Sequence, residues 1–101
     1  MTARRTITLE ELRRQKDRIV ALAERHGAHN LRVFGSVARG QANPESDVDL
    51  VVDFDRGRSL MDHGELMMDL EEVLGCRVDV VSERGLRDRF RARVLADAVP
   101  L

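Results

Sequence analysis

The chain has 101 residues, a formal net charge of −1 and a hydrophobic fraction of 43%. This length suits one small domain, residues 1–101, and the near-neutral charge predicts no direct nucleic-acid binding. The single cysteine, Cys76, excludes an intrachain disulfide, and the lack of a long apolar stretch or a signal-peptide pattern predicts a cytoplasmic protein without membrane contact.

The first predicted helix begins at a capping pattern, in which Thr8 is followed three residues later by Glu11. Apolar residues recur at helical spacing up to about His26, and Gly27 is expected to end the helix. The apolar residues at 31–34 then predict a first strand.

A Gly-Ser turn follows that strand and leads into a short helical turn from Val37. Gly35 lets the backbone approach a phosphate closely, and the beginning of a helix points N–H groups at an anion. Ser36 adds a hydroxyl donor and Arg39 adds a positive charge. The turn therefore indicates a phosphate site, but not a Walker A loop, because Gln41 stands where that motif requires lysine.

The second predicted strand carries carboxylates on one face. Asp47 and Asp49 alternate with apolar residues that form the other face, and Asp53 and Asp55 continue the acidic face further along, where we expect solvent exposure rather than metal binding. Aspartate is depleted in strands, and paired carboxylates are typical of magnesium sites that also hold substrate phosphates. A D-x-D pair alone is more often a solvated strand face, so the motif gains weight only from its neighbours.

A helix capped by Ser59 and running to Leu74 is expected next, with Met67 and Met68 as packing residues. The strand around Asp79 follows. A strand–helix–strand unit makes its two strands parallel, which would bring Asp79 to Asp47 and Asp49.

One of these three carboxylates would then be placed to accept a proton from an attacking hydroxyl. Ser82 is expected to open a last helix whose Leu86, Phe90 and Val94 face inward. The predicted fold class is α/β, with about four helices packed on a small mixed three-stranded sheet.

Residues 33–40 (VFGSVARG) and 46–52 (SDVDLVV) resemble the nucleotidyltransferase superfamily that includes DNA polymerase beta. The chain length and residues 74–81 (LGCRVDVV) and 94–99 (VLADAV) are similar to the minimal nucleotidyltransferases encoded beside HEPN-domain proteins. Pro100-Leu101 departs from that pattern, since an aromatic residue is common before the last leucine.

The resemblance implies the polymerase beta-like nucleotidyltransferase fold. It also implies that Gly35, Ser36 and Arg39 bind the triphosphate of ATP and that Asp47, Asp49 and Asp79 hold two Mg²⁺ ions. Asp79 would in addition promote attack by the acceptor hydroxyl.

The resemblance further implies an antitoxin that forms a hetero-oligomer with a HEPN ribonuclease toxin and transfers AMP from ATP to a toxin hydroxyl, that of a tyrosine. A non-catalytic antitoxin that neutralises the toxin by binding is the alternative. Transfer to a small molecule such as an antibiotic is disfavoured, because the chain has no added substrate domain.

Overall fold

The structure is a computed structural model and describes residues 6–101. It contains five α-helices, one 3₁₀ turn (Glu83–Gly85) and four strands. The helices are α1 (Leu9–Arg14), α2 (Lys16–Arg25), α3 (Gly35–Ala38), α4 (Leu60–Leu74) and α5 (Asp88–Asp97). The strands are β1 (Ala28–Phe34), β2 (Val48–Phe54), β3 (Val78–Ser82) and β4 (Val99–Pro100).

The strands form one mixed sheet in the order β3-β2-β1-β4. The β2–β3 pair is parallel, and β1 is antiparallel to both β2 and β4. The α/β class and the parallel acidic strands are thus confirmed. The strand count was wrong by one, because β4 has only two residues and forms through its docking on β1, where the Leu101 N–H also donates to the Leu31 carbonyl at 3.1 Å.

The core lies between the sheet and helices α1, α2 and α4. Buried apolar side chains come from one face of each of these elements, with full burial of Ile19, Leu50, Leu66 and Leu70. The predicted first helix is in fact two helices that meet at Gln15. Its predicted cap is present, because Thr8 Oγ1 accepts from the Glu11 N–H at 3.2 Å.

Two predictions of inward-facing side chains were wrong. Phe90 is 55% exposed and Met68 is 69% exposed, although Val94 and Leu70 beside them in the helices are buried. The last helix also begins later than predicted. Ser82 ends β3, and the 3₁₀ turn with the helix-disfavouring Gly85 precedes α5.

No helix within residues 6–101 is both long enough and apolar enough to cross a membrane.

Candidate active site

Three aspartates lie at one end of the parallel strand pair. Asp49 in β2 is directly opposite Asp79 in β3, and Asp47 immediately precedes β2. Their neighbours Val48 and Leu50 point to the other face of the sheet and are buried under the helices. The period-two pattern of the sequence therefore places the carboxylates on the face of the sheet opposite α1, α2 and α4, as expected for parallel strands in register.

Asp49 is the electrostatic centre of this group. Partial burial, followed in size by the charges of Asp79 and Asp47, raises the pKa of its carboxyl group from 3.8 to about 6. Arg39 acts in the opposite direction and lowers this pKa. A carboxylate whose ionisation is opposed by two neighbouring carboxylates is stabilised by a bound cation.

Gly35 is in contact with the Asp49 carboxylate. The glycine has a φ of +74°, and a Cβ atom at this position would lie 2.3 Å from Asp49 Oδ2. Only glycine therefore satisfies both the left-handed backbone and the close approach. The Gly-Ser turn and the acidic strand, which are separate motifs in the sequence, form one continuous surface in the fold.

Ser36 lies in the first turn of the short helix α3, and Arg39 lies at its other end. In the first turn, backbone N–H groups have no acceptor within the helix. Arg39 follows the last turn, and its Nη1 donates to Asp97 Oδ2 at 2.6 Å while Nε donates to Gln41 Oε1 at 3.2 Å. Asp97 reaches the site from α5; it lies in the segment 94–99 that resembles the family, but the residue pattern gave it no role.

The donor set suits a hard divalent cation, because it consists of carboxylate oxygens that repel one another. The three aspartates do not meet the spacing of a preformed metal site. Within residues 6–101, the group whose possible ligand atoms all lie within 4.8 Å of one another is a different one, His26, Asp62 and Glu65. Asp47 Oδ1 is 3.7 Å from Arg77 Nε, so this carboxylate is directed toward the arginine. The aspartate side chains fit a divalent cation by their chemistry, once rotation about χ1 and χ2 has brought their oxygens closer.

The acidic residues at and just beyond the far end of β2, Asp53 and Asp55, have structural partners. Asp53 accepts from Asn30 Nδ2 at 3.0 Å, and Asp55 pairs with His29 Nε2 at 2.9 Å. Arg32, which the sequence does not single out, connects Asp53 to Glu83 across the sheet. This far end of the strand is therefore a network of ion pairs rather than a continuation of the acidic site.

A cavity of about 340 Å³ adjoins the site on its Asp47 side and is open to solvent. Ser46, Asp47 and Arg77 form its wall nearest the carboxylates. This volume lies at the lower end of the range for small-molecule pockets.

Replacing Asp49 by Asn is expected to stabilise the metal-free protein at neutral pH. A pKa that is raised on folding means that stability is lost as pH rises from about 4 to 6, because the folded state holds the proton more tightly than the unfolded chain. The amide of asparagine does not ionise and so avoids this loss of stability. We expect the free energy of unfolding to rise by about 1–2 kcal/mol at pH 7.5, after allowance for partial solvent exposure.

Urea unfolding in EDTA at pH 5 and pH 7.5 checks this expectation. The gain should be smaller at pH 5. The exposed carboxylate of Glu72 offers the control, since Glu72→Gln should change stability by no more than about 0.5 kcal/mol. A loss of stability in the Asn variant at both pH values would contradict the assignment of the raised pKa.

The chain is similar to proteins of known class along most of its length. The model of the nucleotidyltransferase domain family matches residues 10–101. The chain is 44% identical over 78 residues to the protein adenylyltransferase MntA of Thermococcus cleftensis, which covers 77% of this chain and 79% of that protein.

Solved structures show the same similarity. One, of a protein named as a minimal nucleotidyltransferase, is 54% identical and superposes with a TM-score of 0.84 over 94% of this chain and 97% of that chain. A toxin–antitoxin crystal structure with AMP-PNP superposes with a TM-score of 0.74 over 84% of this chain and 70% of that chain; at 22% identity it shows the shared fold alone.

Proposed function

Since the chain belongs to the nucleotidyltransferase family, in its minimal, MntA-like group, we propose that it is an antitoxin that transfers AMP from ATP to a hydroxyl group of its cognate toxin. The observation that carries this proposal is the contact between Gly35 and Asp49, with Asp79 opposite in the next strand. It unites a phosphate-binding turn with a carboxylate cluster. The relative named protein adenylyltransferase supports AMP as the transferred group and a protein as the acceptor.

Gly35, Ser36 and Arg39 would hold the triphosphate. The glycine lets phosphate oxygens approach the backbone, the serine hydroxyl donates a hydrogen bond, and the guanidinium neutralises charge. All three lie within one turn of chain around α3, next to the carboxylates. The α-phosphate would then lie near Asp49, where the turn meets the carboxylates.

Asp47, Asp49 and Asp79 would hold divalent cations, and we propose two Mg²⁺ ions. When bound, these ions neutralise the charge that develops on the transferred phosphoryl group and on the pyrophosphate. The raised pKa of Asp49 supports this assignment, because a bound cation offsets both the burial and the repulsion from Asp79 and Asp47 that raise this pKa.

Asp79 would accept the proton of the acceptor hydroxyl. It lies on β3, the edge strand of the sheet, and its side chain is exposed. The acceptor oxygen bonds to the α-phosphorus, the bond to the β-phosphate oxygen breaks, and pyrophosphate leaves as the hydroxyl proton passes to the Asp79 carboxylate. The product is a phosphodiester between AMP and the toxin side chain.

We propose that the acceptor is a tyrosine of a HEPN ribonuclease toxin, and that the two proteins form a hetero-oligomer. The open surface around Asp79 supports an acceptor that is presented by a partner protein. The toxin–antitoxin structure with the same fold shows that this architecture is used in such pairs.

Intact-mass spectrometry of the cognate HEPN toxin after incubation with this protein, ATP and Mg²⁺ tests the proposal. We expect the toxin to gain one or more AMP units, and the D47N/D49N double variant to add none. A stable complex without mass gain in either sample would instead indicate an antitoxin that acts by binding. Growth rescue by the double variant would support the same conclusion.

A further inference from the structure

A second, smaller cleft opens beside the carboxylates, on the side of Arg39. It has a volume of about 180 Å³ and lies between α5, α3 and the end of β1. Its lining includes Phe34, Gly35, Arg39, Phe90, Arg93 and Asp97. Two of these, Gly35 and Arg39, belong to the proposed triphosphate site, so the cleft and that site are continuous.

Phe90 lies on the same side of α5 as the buried Val94 but is itself exposed to solvent. Phe90, Val94 and Asp97 are spaced at i, i+4 and i+7, which places them on one side of the helix. Val94 is 5% exposed, whereas Phe90, one turn earlier, is 55% exposed. The Phe90 ring therefore lies beyond the end of the core, on the same side of the helix as Val94. Its aromatic face is available to a ligand.

The cleft lies on the same face of the sheet as the carboxylates. Phe34 is paired with Asp49 across β1 and β2, and paired residues project their side chains to the same side. A ligand that has its phosphates at Gly35 and Asp49 can therefore enter the cleft without crossing the sheet.

The chemical composition of the cleft matches a nucleobase attached to a polyphosphate. Aromatic rings and guanidinium planes are the surfaces on which bases stack, and they do so with little preference among bases. Arg39 and Arg93 supply two positive charges near the phosphate chain. The volume is below that of a complete small-molecule pocket, as expected when only the base enters and the phosphates lie outside.

We propose that Phe90 and Arg93 form the base-binding half of the nucleotide site, with the adenine ring of ATP stacked on Phe90. This inference rests on the proposed transfer of AMP from ATP. It assigns to α5 a role that no sequence motif indicates, and it makes Phe90 the residue that distinguishes a nucleotide from a bare polyphosphate.

Isothermal titration calorimetry with two ligands, Mg-ATP and Mg-tripolyphosphate, tests the inference without toxin. We expect Phe90→Ala to weaken ATP binding by about tenfold, the order of the loss of one aromatic–base stack, and to leave tripolyphosphate binding within about twofold. Phe90→Tyr should restore ATP binding. Met68→Ala, which removes another exposed apolar side chain, on α4, is the control and should change neither affinity.

Each outcome separates the base site from the overall function. Equal ATP affinity in wild type and Phe90→Ala overturns the base site while leaving AMP transfer intact. If Phe90→Ala weakens the binding of ATP and of tripolyphosphate equally, the base site is also overturned, and the cleft binds phosphates instead. If Phe90→Ala binds ATP normally but no longer modifies the toxin, the cleft binds the acceptor and not the base. Failure of the wild type to bind ATP rejects the proposed function itself.

Discussion

Replacing Asp79 by Asn is expected to lower the rate of AMP transfer by about 10²–10⁴-fold, the range typical for removal of a general base. The amide is nearly isosteric with the carboxylate but cannot accept the hydroxyl proton. Asp79 is exposed at the sheet edge, so the variant should fold normally, with a change in stability of no more than about 0.5 kcal/mol.

Single-turnover transfer, followed by intact mass of the toxin, measures this effect. ATP affinity should fall much less than the rate, because Asp47, Asp49 and the Gly-Ser turn still hold the nucleotide. Asp55→Asn is the control, since Asp55 pairs with His29 at the far end of β2. A rate for Asp79→Asn equal to that of the wild type would exclude Asp79 as the proton acceptor.

Replacing Gly35 by Ala is expected to abolish transfer and to destabilise the protein by about 2–5 kcal/mol. About 1–2 kcal/mol of this comes from a Cβ at positive φ, and a further 1–3 kcal/mol from overpacking against the Asp49 carboxylate. Transfer is lost because the added methyl group displaces the carboxylate from the phosphate turn.

Gly40 provides a matched control, because its φ is +72° and no atom lies within 4 Å of a Cβ built there. Gly40→Ala should therefore lower the free energy of unfolding by only about 1–2 kcal/mol. In an Asp49→Ala background the overpacking against the carboxylate should disappear. Gly35→Ala should then lower the free energy of unfolding by the same amount as Gly40→Ala. An unchanged cost in that background would show that the contact with Asp49 is not the cause.

The carboxylate strands could be predicted because their pattern is local. Alternation of Asp49 with buried valines specifies one strand and its faces, and a helix between two strands specifies that they are parallel. The end of α4 could be predicted in the same way, because Gly75 adopts the left-handed conformation that ends the helix.

Features that depend on distant partners could not be predicted in this way. The strand β4 exists only because Val99 docks beside Val33, and a two-residue strand has no pattern of its own. Phe90 has helical spacing with Val94, which predicts burial, yet the core ends before it reaches Phe90. Asp97 became part of the site through its ion pair with Arg39, 58 residues earlier in the chain.

That ion pair also affects the conformational entropy of nucleotide binding. Ordering a free arginine side chain costs about 1.5–2 kcal/mol, which a ligand must otherwise offset. Asp97 and Gln41 already restrain the guanidinium through Nη1 and Nε. Because the guanidinium has five N–H donors, Nη2 can meet a phosphate oxygen while both contacts persist, so Arg39 would be preorganised for the proposed triphosphate.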